Sequence, residues 1–119
     1  TFRALWDRYQ LPLLVTENGL GAYDEPAEDG MVHDDYRIDY LQRHIEQIRL
    51  ALADGVDVLG YCPWSAIDLI STHQGMKKRY GFIYVNRDEF DLRDLGRSRK
   101  KSSYWYQRLI ESRGASLDA

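Results

Sequence analysis

The sequence predicts an α/β chain organised around one strand, helix and strand unit with parallel pairing, and three stretches carry that reading. Residues 13–16 (Leu-Leu-Val-Thr) form a short apolar run, opened by Pro12 and closed by the turn pair Asn18-Gly19. Ile38, Leu41, Ile45, Ile48 and Leu52 then recur at helical spacing. Residues 56–64 (Val-Asp-Val-Leu-Gly-Tyr-Cys-Pro-Trp) follow directly on Gly55 and read as a second strand. A helix between two strands is the usual crossover of a parallel pair.

Taken in order, Phe2, Leu5, Trp6 and Tyr9 stand at helical spacing, so residues 2–10 read as the tail of a helix. The strand over 12–16 comes next. An Asn-Gly pair can also close a hairpin, but residues 21–30 (Gly-Ala-Tyr-Asp-Glu-Pro-Ala-Glu-Asp-Gly) are polar and turn-rich and offer no partner strand. A loop to about His33 is expected there. Asp34 or Asp35 caps the central helix, and Gly55 stops it. His44 lies off the apolar stripe and reads as a flank residue. After the second strand come Ala66, Ile67, Leu69 and Ile70, a polar loop over 71–79, a short strand over 80–85 and a charged, turn-like segment over 86–96. A last helix over 102–111 carries Tyr104, Trp105, Leu109 and Ile110, with Ser102 or Ser103 as its cap, and a frayed tail is expected after Gly114.

Both main strands read as apolar enough to be covered on two faces, which is how strands of a parallel sheet look. The few helices here are too few for that, so the 119 residues are expected to be the end of a larger α/β protein. A closed barrel of alternating strands and helices needs on the order of 250 residues.

Composition narrows the function classes. With 44% hydrophobic and 29% charged residues and a net charge of -3, the chain reads as an ordered globular protein, and general nucleic-acid binding is disfavoured. The basic clusters at 77–79 and 97–101 read as solvated surface. A single cysteine, Cys62, excludes an intrachain disulfide; in a buried strand with no histidine nearby, it reads as inert packing. No signal peptide or long apolar span is present, so a cytoplasmic protein with no membrane partner is expected. His33, His44 and His73 lie far apart without ligand spacing, so neither a metal nor an organic cofactor is implied.

One residue type at one place points to chemistry. Glu17 falls at the C-terminal exit of the first strand, where parallel α/β enzymes build their sites.

The blocks Thr16-Glu17-Asn18-Gly19, Gly60-Tyr61-Cys62-Pro63-Trp64-Ser65, Lys78-Arg79-Tyr80-Gly81-Phe82-Ile83-Tyr84-Val85 and Lys100-Lys101-Ser102-Ser103-Tyr104-Trp105-Tyr106 stand in this order along the chain. Together they resemble the last quarter of a glycoside hydrolase family 1 enzyme, from about Leu5 to Ile110. The resemblance implies the C-terminal part of a (β/α)8 TIM barrel, strands seven and eight with flanking helices, in a single catalytic domain spanning 1–119.

Carried over residue by residue, it implies that Glu17 is the nucleophile of a retaining glycosidase. Such an enzyme needs a second carboxylate roughly 5 Å away to protonate the leaving oxygen. The family takes that acid/base from an Asn-Glu pair on an earlier strand, and no Asn-Glu pair occurs in these 119 residues. An isolated chain is therefore expected to be inactive. Trp64 matches the tryptophan whose ring lies against the sugar.

Where relatives that act on unphosphorylated glucosides carry a glutamate and a second tryptophan, this chain has Ser71 and Thr72. With Lys78 and Tyr80 they resemble the branch that cleaves 6-phospho-β-glycosides. A carboxylate there would repel a phosphate, whereas hydroxyls and an ammonium donate hydrogen bonds to it. The small Thr72 resembles 6-phospho-β-glucosidases more than galactosidases. Thr72 competes with Ser71 as the hydroxyl donor, and Lys77 with Lys78 as the ammonium. Arg79 reads as a structural ion-pair partner, and His73 as solvated.

The implied partner is a phosphorylated β-glucoside that is hydrolysed to glucose 6-phosphate. Alternatives are an unphosphorylated β-glucosidase, a 6-phospho-β-galactosidase, a non-catalytic sugar-phosphate binding module, or a self-associating piece that lacks the N-terminal part of its barrel.

Overall fold

The computed structural model describes residues 1–118. Three α-helices, α1 (Phe2–Tyr9), α2 (Asp35–Ala53) and α3 (Lys101–Glu111), combine with four strands, β1 (Leu13–Asn18), β2 (Val58–Pro63), β3 (Ile83–Val85) and β4 (Arg97–Arg99). β1 and β2 pair in parallel through the α2 crossover, with Leu13 opposite Val58 and Asn18 opposite Pro63. The βαβ unit is thus the frame of the chain, and the hairpin alternative is excluded.

β1 runs two residues further than the apolar run suggested, so Glu17 lies inside the strand's last turnout, one residue before its end. Of the strand expected over 80–85 only the three residues of β3 form, and they pair antiparallel with β4. The sequence gives β4 no apolar alternation, and its residues Arg97, Ser98 and Arg99 read as part of a solvated basic cluster. They pair because the turn before them is tied by side chains: Asp94 Oδ1 accepts from Gly96 N at 2.8 Å and from Asn86 Nδ2 at 2.7 Å.

The faces of β1 and β2 are not covered as their composition suggested. Leu14 is 53% and Leu59 68% exposed, and Cys62, expected to be packed, is exposed too. The chain's own helices reach only one side of the pair.

On α2 the buried residues are Arg37, Leu41 and Ala51, so the inward face is rotated from the predicted stripe, and Leu52 is half exposed. His44 stands on this face rather than its flank. Its ring lies over Tyr40 at 4.0 Å between centroids, and its Nδ1 is 2.7 Å from the Tyr40 carbonyl.

Neither predicted cap forms as expected. Asp34 is the N-cap residue of α2, yet its carboxylate makes no capping bond. Instead Oδ2 accepts from Arg37 Nη1 at 2.5 Å and Ser102 Oγ at 2.5 Å, while Oδ1 accepts from Ser102 N at 2.9 Å. The N-cap of α3 is Lys100, and Ser102 spends its hydroxyl on Asp34. One carboxylate thereby fastens the starts of two helices. Beyond Gly114, residues Ala115–Asp118 form a 3-10 helix where a frayed tail was expected, with Arg49 Nη1 donating to Asp118 at 2.7 Å.

Candidate active site

The parallel register brings the C-terminal ends of β1 and β2 side by side. Trp64 N donates to the Asn18 carbonyl at 2.7 Å, which sets the Trp64 backbone against the residue following Glu17. A side chain is impossible at Gly19: an added Cβ would lie 1.9 Å from the Trp64 carbonyl oxygen. Asn18 is held in turn, accepting from Tyr61 Oη at 2.6 Å and donating to Tyr40 Oη at 3.3 Å. Burial of the Tyr61 phenol pushes its pKa up. Glu17 and Trp64 are both exposed in this chain, the latter by 42%.

The polar loop after β2 returns to the same end. Ser65 N donates to the Tyr80 carbonyl at 3.0 Å, and Phe82 N donates to the Ser65 carbonyl at 3.0 Å. The segment after β1 grips it from the other side, where Ala22 and Arg79 exchange backbone bonds of 2.9 and 2.8 Å. The loop that bears Lys78 and Tyr80 is thus tied to both strand exits.

Within the loop, Ser71 is buried at a tight turn, and Ser71 N donates to the Gly75 carbonyl at 2.8 Å. Ser71 Oγ lies 3.3 Å from the N–H of Gln74 and 3.4 Å from that of His73, both donating to it. It also lies 3.4 Å from Tyr80 Oη. With its lone pairs engaged by N–H groups, the Ser71 hydroxyl has its proton to give. Lys78 Nζ stands 5.6 Å from the Tyr80 ring centroid, above its face. Ser71, Lys78 and Tyr80 are therefore brought together. Thr72, Lys77 and His73 point outward and are exposed.

Behind this loop lies a cluster that the sequence reading missed. Lys100, read as solvated, is fully buried; its Nζ donates to Asp24 Oδ2 at 2.7 Å and to Asp68 Oδ1 at 2.6 Å. Arg79 Nη1 reaches Asp68 Oδ2 at 3.0 Å, the ion-pair role expected of it, and Arg37 Nη2 reaches Asp24 Oδ2 at 2.9 Å. Asp68 also accepts from Gly81 N at 3.0 Å, next to Tyr80. One signal was available in the sequence: Asp68 is a lone carboxylate inside the apolar run Ala66, Ile67, Leu69, Ile70, and a buried carboxylate requires a partner.

A carboxylate at one parallel strand's exit, an aromatic ring at the next, and a loop of clustered hydroxyl and ammonium donors offer the groups that a polyhydroxylated, anionic ligand needs. Comparison with known proteins names the family. The model of glycosyl hydrolase family 1 matches residues 1–115, and the chain belongs to that family. It is 59% identical over 115 residues to the aryl-phospho-β-D-glucosidase BglC of Bacillus subtilis, covering 97% of this chain and 24% of that protein. It is 54% identical to the phospho-cellobiase of Klebsiella oxytoca, covering 95% of this chain and 25% of that one. Among solved structures, a family 1 β-glucosidase from Thermotoga maritima superposes with a TM-score of 0.87 at 37% identity, over 95% of this chain and 25% of that chain. The chain spans about a quarter of the length of the relatives it matches.

Proposed function

We propose that the protein containing this chain hydrolyses 6-phospho-β-glucosides with retention of configuration. Residues 1–119 form the C-terminal part of its single barrel domain, with β1 and β2 as the seventh and eighth strands. The exposed Leu14 and Leu59 fit strands whose remaining neighbours come from the rest of the barrel.

The observation that carries the substrate reading is the grouping of Ser71, Lys78 and Tyr80 beside the exits of both strands. Two hydroxyl donors and one ammonium suit a phosphate dianion. The names of the relatives, an aryl-phospho-β-D-glucosidase and a phospho-cellobiase, agree with that chemistry. Lys78 fits the ammonium role better than Lys77, and Ser71 the hydroxyl role better than Thr72, because each packs toward Tyr80 while its competitor faces outward.

In this reading the Ser71 hydroxyl, the Lys78 ammonium and the Tyr80 phenol donate to the 6-phosphate. Trp64 offers its ring to the apolar face of the pyranose, and C1 is presented to Glu17. A Glu17 carboxylate oxygen attacks C1 as the C1–O bond to the aglycone breaks, and an acid from the remainder of the barrel protonates the departing oxygen. Water then attacks C1 and gives its proton to that same group, the ester to Glu17 breaks, and the glucose 6-phosphate released keeps the β configuration. A sugar phosphate does not cross a bilayer unaided, so substrate and enzyme must share one compartment, which in this reading is the cytoplasm.

The test is kcat/KM of the full-length protein on p-nitrophenyl β-glucoside with and without a 6-phosphate, and on the 6-phosphorylated β-galactoside. Two or more charge-assisted bonds at about 1.5–3 kcal/mol each require a preference of about a hundredfold or more for the phosphorylated glucoside. Equal activity on the unphosphorylated glucoside refutes the reading, as does a preference for the galactoside. Binding of glucose 6-phosphate without any hydrolysis makes the protein a binding module instead.

A further inference from the structure

We propose that Gly21 determines specificity at this site: the missing side chain there is what lets Lys78 and Tyr80 take up their phosphate-facing positions. The inference rests on the reading that these two residues hold the 6-phosphate. Gly21 lies in the segment leaving β1, four residues beyond Glu17 and immediately before Ala22, which is bonded to Arg79. Arg79 separates Lys78 from Tyr80 in sequence, so the backbone of the segment after β1 runs directly beneath both side chains.

An added Cβ at Gly21 would lie 2.5 Å from Tyr80 Cε1, 2.7 Å from Tyr80 Cζ and 2.6 Å from Lys78 Cε. Real Cβ atoms do not tolerate such distances, so something must move. What it strikes separates this glycine from its neighbours. At Gly19 the obstacle is the Trp64 carbonyl at 1.9 Å, and at Gly81 it is Asp68 N at 2.2 Å; both are backbone, and substitution there strains the fold. At Gly21 the three nearest atoms all belong to the outer parts of the Lys78 and Tyr80 side chains.

Those side chains can swing away while the backbone stays. Tyr80 is a rigid ring whose hydroxyl stands at 3.4 Å from Ser71 Oγ, so displacing Cε1 and Cζ carries the hydroxyl off Ser71. The Lys78 stem, pushed at Cε, takes its ammonium off the ring it now covers at 5.6 Å. A single methyl group at position 21 thus disperses the donor cluster without touching Glu17 or Trp64. Gly21 carries no positive φ, so the requirement is for space and not for a backbone conformation.

The experiment compares full-length wild type and Gly21→Ala on the phosphorylated and unphosphorylated p-nitrophenyl β-glucosides, with Lys78→Ala and the Gly21→Ala/Lys78→Ala pair completing a double-mutant cycle. Gly21→Ala is expected to raise KM for the phosphorylated substrate about tenfold or more, with a much smaller change in kcat and in kcat/KM on the unphosphorylated one. In the Lys78→Ala background the same substitution is expected to cost clearly less, because part of what it displaces is already gone. A merely structural glycine would lower both substrates together and add independently of Lys78, and either result overturns the inference.

If Gly21→Ala does not accumulate as folded protein, the triple variant Gly21→Ala/Lys78→Ala/Tyr80→Ala removes both side chains it strikes. Recovery of folded protein supports the proposal, and failure to recover refutes it. A wild type without preference for the phosphate refutes the function and this inference with it; a preferring wild type whose preference survives Gly21→Ala refutes this inference alone.

Discussion

Lys100→Met tests the buried ionic cluster directly. Lys100 is fully buried, and its ammonium lies 2.7 Å from Asp24 Oδ2 and 2.6 Å from Asp68 Oδ1. Asp24, Asp34 and Asp68 are balanced in this cluster by Arg37, Arg79 and Lys100, all six buried. Methionine keeps the apolar stem and deletes the charge, leaving the cluster with one uncompensated negative charge. Asp24 suffers most, because its Oδ1 already has no hydrogen-bond partner among the described residues and only Arg37 would remain on Oδ2. Breaking a buried ion pair by removing one partner costs about 3–5 kcal/mol, far more than an exposed pair. The expected result is a destabilisation of that size in urea unfolding of the full-length protein. Asp24→Asn restores the charge balance, so the double variant should be less destabilised than the two single losses added together. A loss below about 1 kcal/mol for Lys100→Met, or strict additivity with Asp24→Asn, would show that the cluster is hydrated and that this reasoning is wrong.

Two further outcomes follow from the site. Ser71→Glu brings a carboxylate to the phosphate donors, from a position whose present Oγ lies 3.4 Å from Tyr80 Oη, so the preference for the phosphorylated glucoside should fall by about a hundredfold or more, as read from kcat/KM on the substrate pair. Burial raises the Tyr61 pKa, so the fold favours the protonated phenol. Its contribution to stability is full below the ordinary value of 10.0 and is lost as pH rises through the higher folded value. Absorbance at the phenolate band should therefore show that Tyr61→Phe removes an ionisation appearing above the ordinary tyrosine range; loss of one within that range would contradict the burial argument.

The βαβ frame was legible because its signals are local and redundant. An apolar run between Pro12 and Asn18-Gly19 can hardly be anything but a strand, and α2 announces itself over several turns. The grouping of Ser71, Lys78 and Tyr80 was legible only through resemblance, since no spacing rule places position 71 beside position 80. Of the charged cluster only Asp68, a lone carboxylate in an apolar run, gave a signal; its partners were not legible, because Asp24 and Lys100 are far from it in sequence and each reads alone as a solvated group. β4 was missed for a related reason: its pairing comes from the Asp94 turn and not from any alternation within Arg97–Arg99. The rotated face of α2 has the same origin, since Arg37 turns inward to meet Asp24 and Asp34 in place of an apolar residue. Gly21 was passed over as one glycine in a polar loop; only the positions of Lys78 and Tyr80 reveal why a side chain is excluded there.

The most direct test of the account is to trap the intermediate. A 2-deoxy-2-fluoro-β-glucoside bearing a good leaving group and a 6-phosphate slows the release step, so the ester accumulates on the nucleophile and can be located by peptide mass mapping of the full-length protein. One fluoroglucosyl phosphate is expected on the peptide containing Glu17, formed much faster than with the unphosphorylated reagent and abolished in Glu17→Gln. A label on any other residue, or equal labelling by the unphosphorylated reagent, would contradict it.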